Sequence, residues 1–391
     1  MPPRLQAELT RDFLSAWEAI RFGVVDKNTT TRIKYWNAWK QYCAYFKRSP
    51  YLETCTNLQQ IIIITGFAAR VRTGFYGRRC QVKAQTVADA LAAISKTIEL
   101  AGECSPVYKA KDTYVLPVER LMEGFRREDP PAIPQLAVPI SVPEYCCTTG
   151  LAAKDPKLQA IGDLPIIAFY YLLRVGEYTQ PRYIIVNGKQ RRATRTVQFR
   201  IGDIGFFKDN AQLPRNSPLP LLLTADQCTL KITNQKNGRM GETINHHAIK
   251  DNPLCPVKAL ARRVHHILSN DGTTKTLLCA VKINTPIQTQ SHWYNITSSD
   301  MLTNLRSAIT ALSLHKGGID PDLVGVHSLR AAGAMALKLA GISDTTIMKM
   351  GRWTSLTFLQ YIHNQIAHLS KDLSLKMSTK LEFTNIAAIE Q

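Results

Sequence analysis

Apolar side chains in the first third of the chain recur at helical spacing. Tyr35, Trp39, Tyr42 and Phe46 follow one another at three- and four-residue steps, so RIKYWNAWKQYCAYF reads as a helix that Thr29–Thr31 can cap. A second helix is predicted over Ala84–Leu100, where Val87, Leu91, Ile94 and Ile98 share a face, and a third near Pro117–Arg127. The aromatic stripe suits core packing better than base stacking. Between these helices GFYGRRCQVK (Gly74–Lys83) is a compact basic segment, fit either for phosphate contact or for a solvated loop.

Further along, the period changes. Leu164–Tyr178 reads as a buried helix, and Arg182–Phe207 as strands turned by Asn187-Gly188. Thr229–His246 is a second hairpin: Leu230 and Ile232 alternate with polar residues, and Asn237-Gly238 supplies the turn. Helices are predicted at Pro256–Leu268, Asp300–Leu314, His327–Ala340, Asp344–Met350 and Ser355–Leu369. The stretch DPPAIPQLAVPISVP at 129–143 holds five prolines, which remove backbone donors and favour extended geometry. It reads as a semi-rigid linker between a helical domain at 1–128 and a mixed domain at 144–391. The expected fold class is therefore two-domain and mainly α, with an all-helical N-terminal domain and an α+β second domain carrying a small antiparallel sheet.

Composition narrows the function. With 45% apolar and 20% charged residues, a chain of 391 residues can bury cores, and wholesale disorder is excluded. Lys and Arg outnumber Asp and Glu by 49 to 30, a net charge of +19 that points to a polyanion, nucleic acid foremost. Both halves share the excess, with 20 basic against 13 acidic residues in 1–142 and 29 against 17 in the remainder. The longest apolar stretches, around Ile61–Ala69 and Leu164–Leu173, are too short to span a bilayer, and the N-terminus lacks a secretory signal's apolar stretch. Nine scattered cysteines without a CxxC argue against disulfides or structural zinc and fit a reducing compartment.

The densest chemical signal is near the C-terminus: Val326-His327-Ser328-Leu329-Arg330, then Met350-Gly351-Arg352-Trp353, then Tyr361. His327 and Arg330 lie three apart, on one helix face. Gly341 suits a left-handed helix stop, and Gly351 ends the next short helix. Thr354 or Ser355 can cap the last helix, which places Tyr361 about two turns in, with Phe358 and Ile362 as its anchors. Upstream, Arg174 and Glu177 follow an apolar run in YLLRVGEY; taken alone, that pair reads as a helix salt bridge. Lys236 precedes the Asn237-Gly238 turn, at a hairpin tip from which a lysine can swing into a cleft.

Taken in order, this set resembles the tyrosine recombinase (phage integrase-like) family, which breaks and rejoins DNA. Arg174 in LLRVGEY is similar to the family's first conserved arginine, Lys236 to its hairpin lysine, His327 and Arg330 to its H-x-x-R motif, and Tyr361, in Tyr-Ile-His, to its nucleophile. The layout of a helical DNA clamp, a short linker and a mixed catalytic domain is also the family's, with Thr29–Phe46 in the place of the first clamp helix. The GRW form and Leu254-Cys255-Pro256 are more like eukaryotic transposon-borne recombinases than bacterial ones. One departure stands out. The family has His or Trp nine residues before the tyrosine; here that place is Arg352, with Trp353 one residue later. Either side chain has a donor for a phosphate oxygen, Arg352 through its guanidinium and Trp353 through its indole N–H, and Trp353 is slightly favoured.

The resemblance implies a chemistry. A tyrosine nucleophile stores the phosphodiester energy as a 3′-phosphotyrosyl ester, which a DNA hydroxyl later attacks. Two arginines hold the phosphate charge, so no metal or other cofactor is required. Lys236 protonates the leaving 5′ oxygen, and His327 accepts a proton or orients the phosphate. The implied partners are double-stranded DNA and further copies of the chain in a tetrameric synapse, with no membrane. Ile366, Leu369, Leu373 and Leu375 suit either a helix swapped onto a neighbour or packing in cis. The compartment is a reducing one that contains DNA, the nucleus in a eukaryote or otherwise the cytoplasm. The alternatives are a type IB topoisomerase-like DNA relaxing enzyme and a catalytically inactive domesticated DNA-binding protein.

Overall fold

The structure, a computed structural model, describes residues 5–6, 8, 29–77, 80–110, 113–131, 136–186, 189–192, 196–233, 241–250, 252, 254–283, 291–353 and 355–361, with Tyr361 as backbone alone. The chain is mainly helical with small antiparallel sheets and divides into two compact units, residues 1–132 and 133–391.

The first unit packs helices α1 (Thr29–Tyr45), α2 (Asn57–Arg72), α3 (Ala84–Leu100) and α4 (Leu116–Glu128) around one core. Tyr35, Trp39 and Tyr42 are buried there, so the aromatic stripe is core, except that Phe46 is exposed. The Trp39 indole N–H donates to the Pro50 carbonyl at 2.8 Å, and its ring meets Phe67 edge-on at a centroid distance of 5.2 Å. Helix α2 was not expected. Its start is a reciprocal capping box, in which the Gln59 N–H donates to the Thr56 hydroxyl and the Thr56 N–H to the Gln59 side chain. The unit is not all helical either, because Tyr108–Ala110 (β1) and Thr113–Tyr114 (β2) form a short antiparallel pair before α4.

Of the proline-rich stretch 129–143, the described residues are built into folded structure rather than standing free. Asp129 accepts from the Arg72 guanidinium and, at 2.8 Å, from the Ala84 N–H. Val138 and Val142 are buried in the core of the second unit, whose first helix, α5 (Ser141–Ala152), starts inside the expected linker. The hydrophobic residues interspersed among these prolines explain the difference, since they have a core to enter.

In the second unit α6 (Pro156–Tyr170) is buried along most of its length, and Asp155 caps its start by accepting from the Lys157 N–H at 2.6 Å. The helix expected over Leu164–Tyr178 is in fact two. The backbone breaks at Leu172, which is left-handed at φ 48°, and resumes as the single turn α7 (Val175–Tyr178). Next come the hairpin β3 (Tyr183–Val186) and β4 (Lys189–Arg192), then β5 (Ile204–Lys208), β6 (Ala211–Leu213), a short helix α8 (Leu219–Leu222), β7 (Gln227–Ile232) and β8 (Glu242–His247). The last four strands form an antiparallel sheet of order β6-β5-β7-β8, with Leu230 opposite Ile244 as the expected hairpin requires. Cys228, Leu230 and Ile232 face the core on alternate positions of β7. Helix α9 (Pro256–Leu268), the hairpin β9 (Ala280–Ile283) and β10 (His292–Asn295), and α10 (Ser298–Ala311) complete the main layer.

Two helices lead to the C-terminal motifs, α11 (Ser328–Leu339) and α12 (Asp344–Gly351), followed by a 3-10 turn over Leu356–Tyr361. Gly341 takes the left-handed stop expected of it, with φ 76°. At the end of α12 the left-handed residue is Arg352, not Gly351. Glycine serves there for space instead: a Cβ on Gly351 would lie 1.6 Å from the Trp353 ring. The helix expected over Ser355–Leu369 is, where described, the 3-10 turn; Ile362, Ile366, Leu369, Leu373 and Leu375 lie outside the described residues. All nine cysteines are free thiols. Among the described residues no helix is long and apolar enough to cross a membrane.

Candidate active site

The break at Leu172 frees a carbonyl that a continuous helix would have used. Leu173 N–H turns back to Ala168 O at 2.9 Å, and the Leu172 side chain enters a small separate core with Ala334, Ile347, Trp353 and Phe358. Helix α11 comes close enough to make the break possible because residue 333 is glycine. A Cβ there would stand 2.3 Å from Phe169 O and 2.4 Å from Leu172 Cδ2. Sequence elements more than 150 residues apart therefore meet at one carbonyl. Leu172 O accepts from Arg330 Nη1 and, at 3.0 Å, from Arg352 Nη2.

Arg174 stands at the N-cap of α7. Its backbone N–H donates to Glu177 Oε2 at 2.8 Å and its Nη1 to Oε1 at 3.3 Å, so the salt bridge read from the sequence is present. Arg174 keeps 19% of its side-chain surface, whereas Glu177 keeps 4%. A second arginine, unforeseen as its partner, pairs with the same carboxylate: Arg352 donates from Nη1 to Oε1 at 3.2 Å and from Nη2 to Oε2 at 3.0 Å. Burial pushes the Glu177 carboxyl upward, but the charges of Arg352, Arg174 and Arg330 outweigh it and hold the group below its ordinary value.

Arg330 is buried. Besides Leu172 O it donates to Gly351 O, and its guanidinium carbon lies 4.2 Å from the centroid of the Trp353 ring. His327, three residues earlier, is exposed at the N-cap of α11, and Ser328 secures that helix start by accepting from the Gly325 N–H at 3.0 Å. The shared helix face thus has an outer and an inner end. Trp353 is buried against Gly351, Arg330 and Phe358, its ring 5.5 Å from that of Phe358.

Arg174, Arg330, Arg352 and Trp353 are therefore brought together around Leu172 and Glu177, and His327 borders them one helical turn from Arg330. The 3-10 turn that ends at Tyr361 packs on α11 and α12. The side chain of Tyr361 and all of Lys236 lie outside the described residues. No group of three or more His, Cys, Asp or Glu suited to a metal ion occurs among the described residues. Glu177 and the Leu172 carbonyl were not singled out from the sequence as the meeting point. The separation of 175 residues between Glu177 and Arg352 leaves no local pattern to read.

No protein-family model and no curated protein matches the chain. Among solved structures, the chain is similar to the Tn1549 transposon integrase in complex with transposon right end DNA, at 11% identity over 81% of this chain and 85% of that one, TM-score 0.42. It is also similar to the XerA recombinase, at 13% identity over 95% and 100%, TM-score 0.36. The XerH site-specific recombinase bound to its difH substrate gives 10% identity over 90% and 97%, TM-score 0.38.

Proposed function

We propose that this chain is a tyrosine recombinase that cuts and rejoins double-stranded DNA through a 3′-phosphotyrosyl ester on Tyr361. The observation that carries the reading is the convergence on Leu172 and Glu177 of the arginines from LLRVGEY, HSLR and GRW. Three cations gathered around one buried carboxylate leave an excess of positive charge, which suits a phosphate.

In this reading the Tyr361 oxygen attacks phosphorus while the 5′ oxygen leaves, taking a proton from Lys236. A free phenol has a pKa of about 10, so Tyr361 gives up its proton during the attack, and His327 accepts it or orients the phosphate. Arg174 and Arg330 hold the non-bridging oxygens. Arg330 reaches them by exchanging the Gly351 carbonyl for phosphate, a neutral acceptor for a charged one. Trp353 lies with its ring against the Arg330 guanidinium and so beside the phosphate that Arg330 holds. Rejoining reverses the steps: a DNA 5′-hydroxyl attacks phosphorus and the phenol leaves. Strand exchange between two duplexes then calls for a tetrameric synapse.

A nicked suicide substrate tests the reading. Wild type should give a protein–DNA adduct that survives denaturant and forms in the presence of chelator and without ATP. Tyr361→Phe should bind DNA and give none; an adduct with the Phe variant would remove Tyr361 from the role.

A further inference from the structure

The Glu177 carboxylate is shared unequally. Arg352 takes both oxygens, at 3.2 and 3.0 Å, and its side chain is fully enclosed. Arg174 touches only Oε1 with its side chain, at 3.3 Å, and remains partly exposed. A guanidinium fork matches a carboxylate edge, and on Glu177 the fork that meets both oxygens belongs to Arg352, while the Arg174 side chain makes one contact. The backbone delivers that fork deliberately. Arg352 is left-handed at φ 57°, ψ 39°, a conformation that persists in a non-glycine residue only when the surroundings hold it. That turn sends Arg352 inward toward α7 while Trp353 lies back over Gly351 and Arg330.

We infer that Arg352 is a positioning residue for the reaction: by taking both oxygens of Glu177 it holds Arg174 to a single side-chain contact with that carboxylate, and through Leu172 O it ties the segment of Arg174 to that of Arg330. The inference rests on the DNA-breaking reading above and separates the two candidates for the place before the tyrosine. Arg352 acts from inside and touches no substrate; Trp353 is the member of the pair beside the phosphate-binding arginine. Without Arg352, Glu177 would be a buried carboxylate with Arg174 as its nearest fork, and the arginine needed by the phosphate would be spent on it.

The test measures DNA affinity and the rate of adduct formation separately, on the full chain with saturating suicide substrate. Arg352→Lys should slow adduct formation by about 100-fold while affinity stays within about threefold, because one ammonium cannot hold both oxygens. Adding Glu177→Gln to Arg352→Met should raise the rate at least about tenfold over Arg352→Met alone, since no carboxylate is left to capture Arg174. A purely structural role would not produce that recovery with affinity constant. If Arg352→Met fails to fold, the Lys variant carries the test. A wild-type rate in Arg352→Lys, or a loss of affinity matching the loss of rate, overturns the inference while the DNA-breaking reading stands. A wild type that forms no adduct overturns both.

Discussion

His246 lies against Tyr171, ring centroids 4.6 Å apart, with Nε2 2.9 Å from the Tyr170 carbonyl. Burial drives its pKa down to about 4, against the opposing pull of that carbonyl. His266 is also lowered to about 4, first by burial and then by the charges of Arg263 and His265; its Nε2 accepts from the Lys282 N–H. Both rings are neutral when folded, whereas the unfolded chain takes up protons from about pH 6.5. Stability should therefore fall as pH drops from about 6.5 to about 4 and then level off for these groups, by on the order of 3 kcal/mol at full effect for His246 and by less for the more solvent-screened His266. Urea midpoints at pH 7, 5 and 4 check this, and His246→Gln should flatten the slope. Glu177 acts lower. Its depressed pKa stabilises the fold above the ordinary carboxylate range, and that contribution is lost as pH falls through the folded value. Glu177→Gln at neutral pH should cost about 3–5 kcal/mol, because it leaves Arg352 buried without its counter-charge. At this scale the sequence placed Arg174, His327, Arg330, Arg352 and Trp353 in one motif set; the pairing of Arg352 with Glu177 had no local pattern, because only the left-handed turn at its backbone sends it inward.

At the scale of elements, periodicity found the helices whose apolar stripe is regular, such as α3 and α9. It missed α2, where NLQQIIIITGFAARVR spreads its apolar residues around the helix, although the Thr56–Gln59 box marked its start. It also ran α6 through its own break, since Leu172 carries no local signal for a positive φ. The cause lies across the fold, where Gly333 lets α11 approach the Phe169 carbonyl. Gly333→Ala should therefore cost about 1–3 kcal/mol through overpacking, read as a lower melting temperature. Gly351→Ala should do comparable damage, since Trp353 must leave its seat over Arg330; a changed tryptophan emission would report it. Replacing the exposed Leu116 with Ala should leave the melting temperature nearly unchanged.

Across the whole molecule, the net charge of +19 is carried by both units and sets the expectation for DNA binding. Affinity should weaken by about 10³-fold or more between about 50 and about 200 mM salt if six or more phosphates are contacted. A flat response in a filter-binding or anisotropy titration would count against that expectation. The arrangement of the centre also has a consequence for how the chain is made. Glu177 awaits an arginine 175 residues further along, so on the proposed reading the cutting centre stays unfinished on the ribosome while the first unit is already free to fold. At translation speeds of about 5–20 residues per second, that interval lasts on the order of ten seconds or more. On the proposed reading, a nascent polypeptide in that window carries DNA-attracting charge without being able to nick the genome beside it.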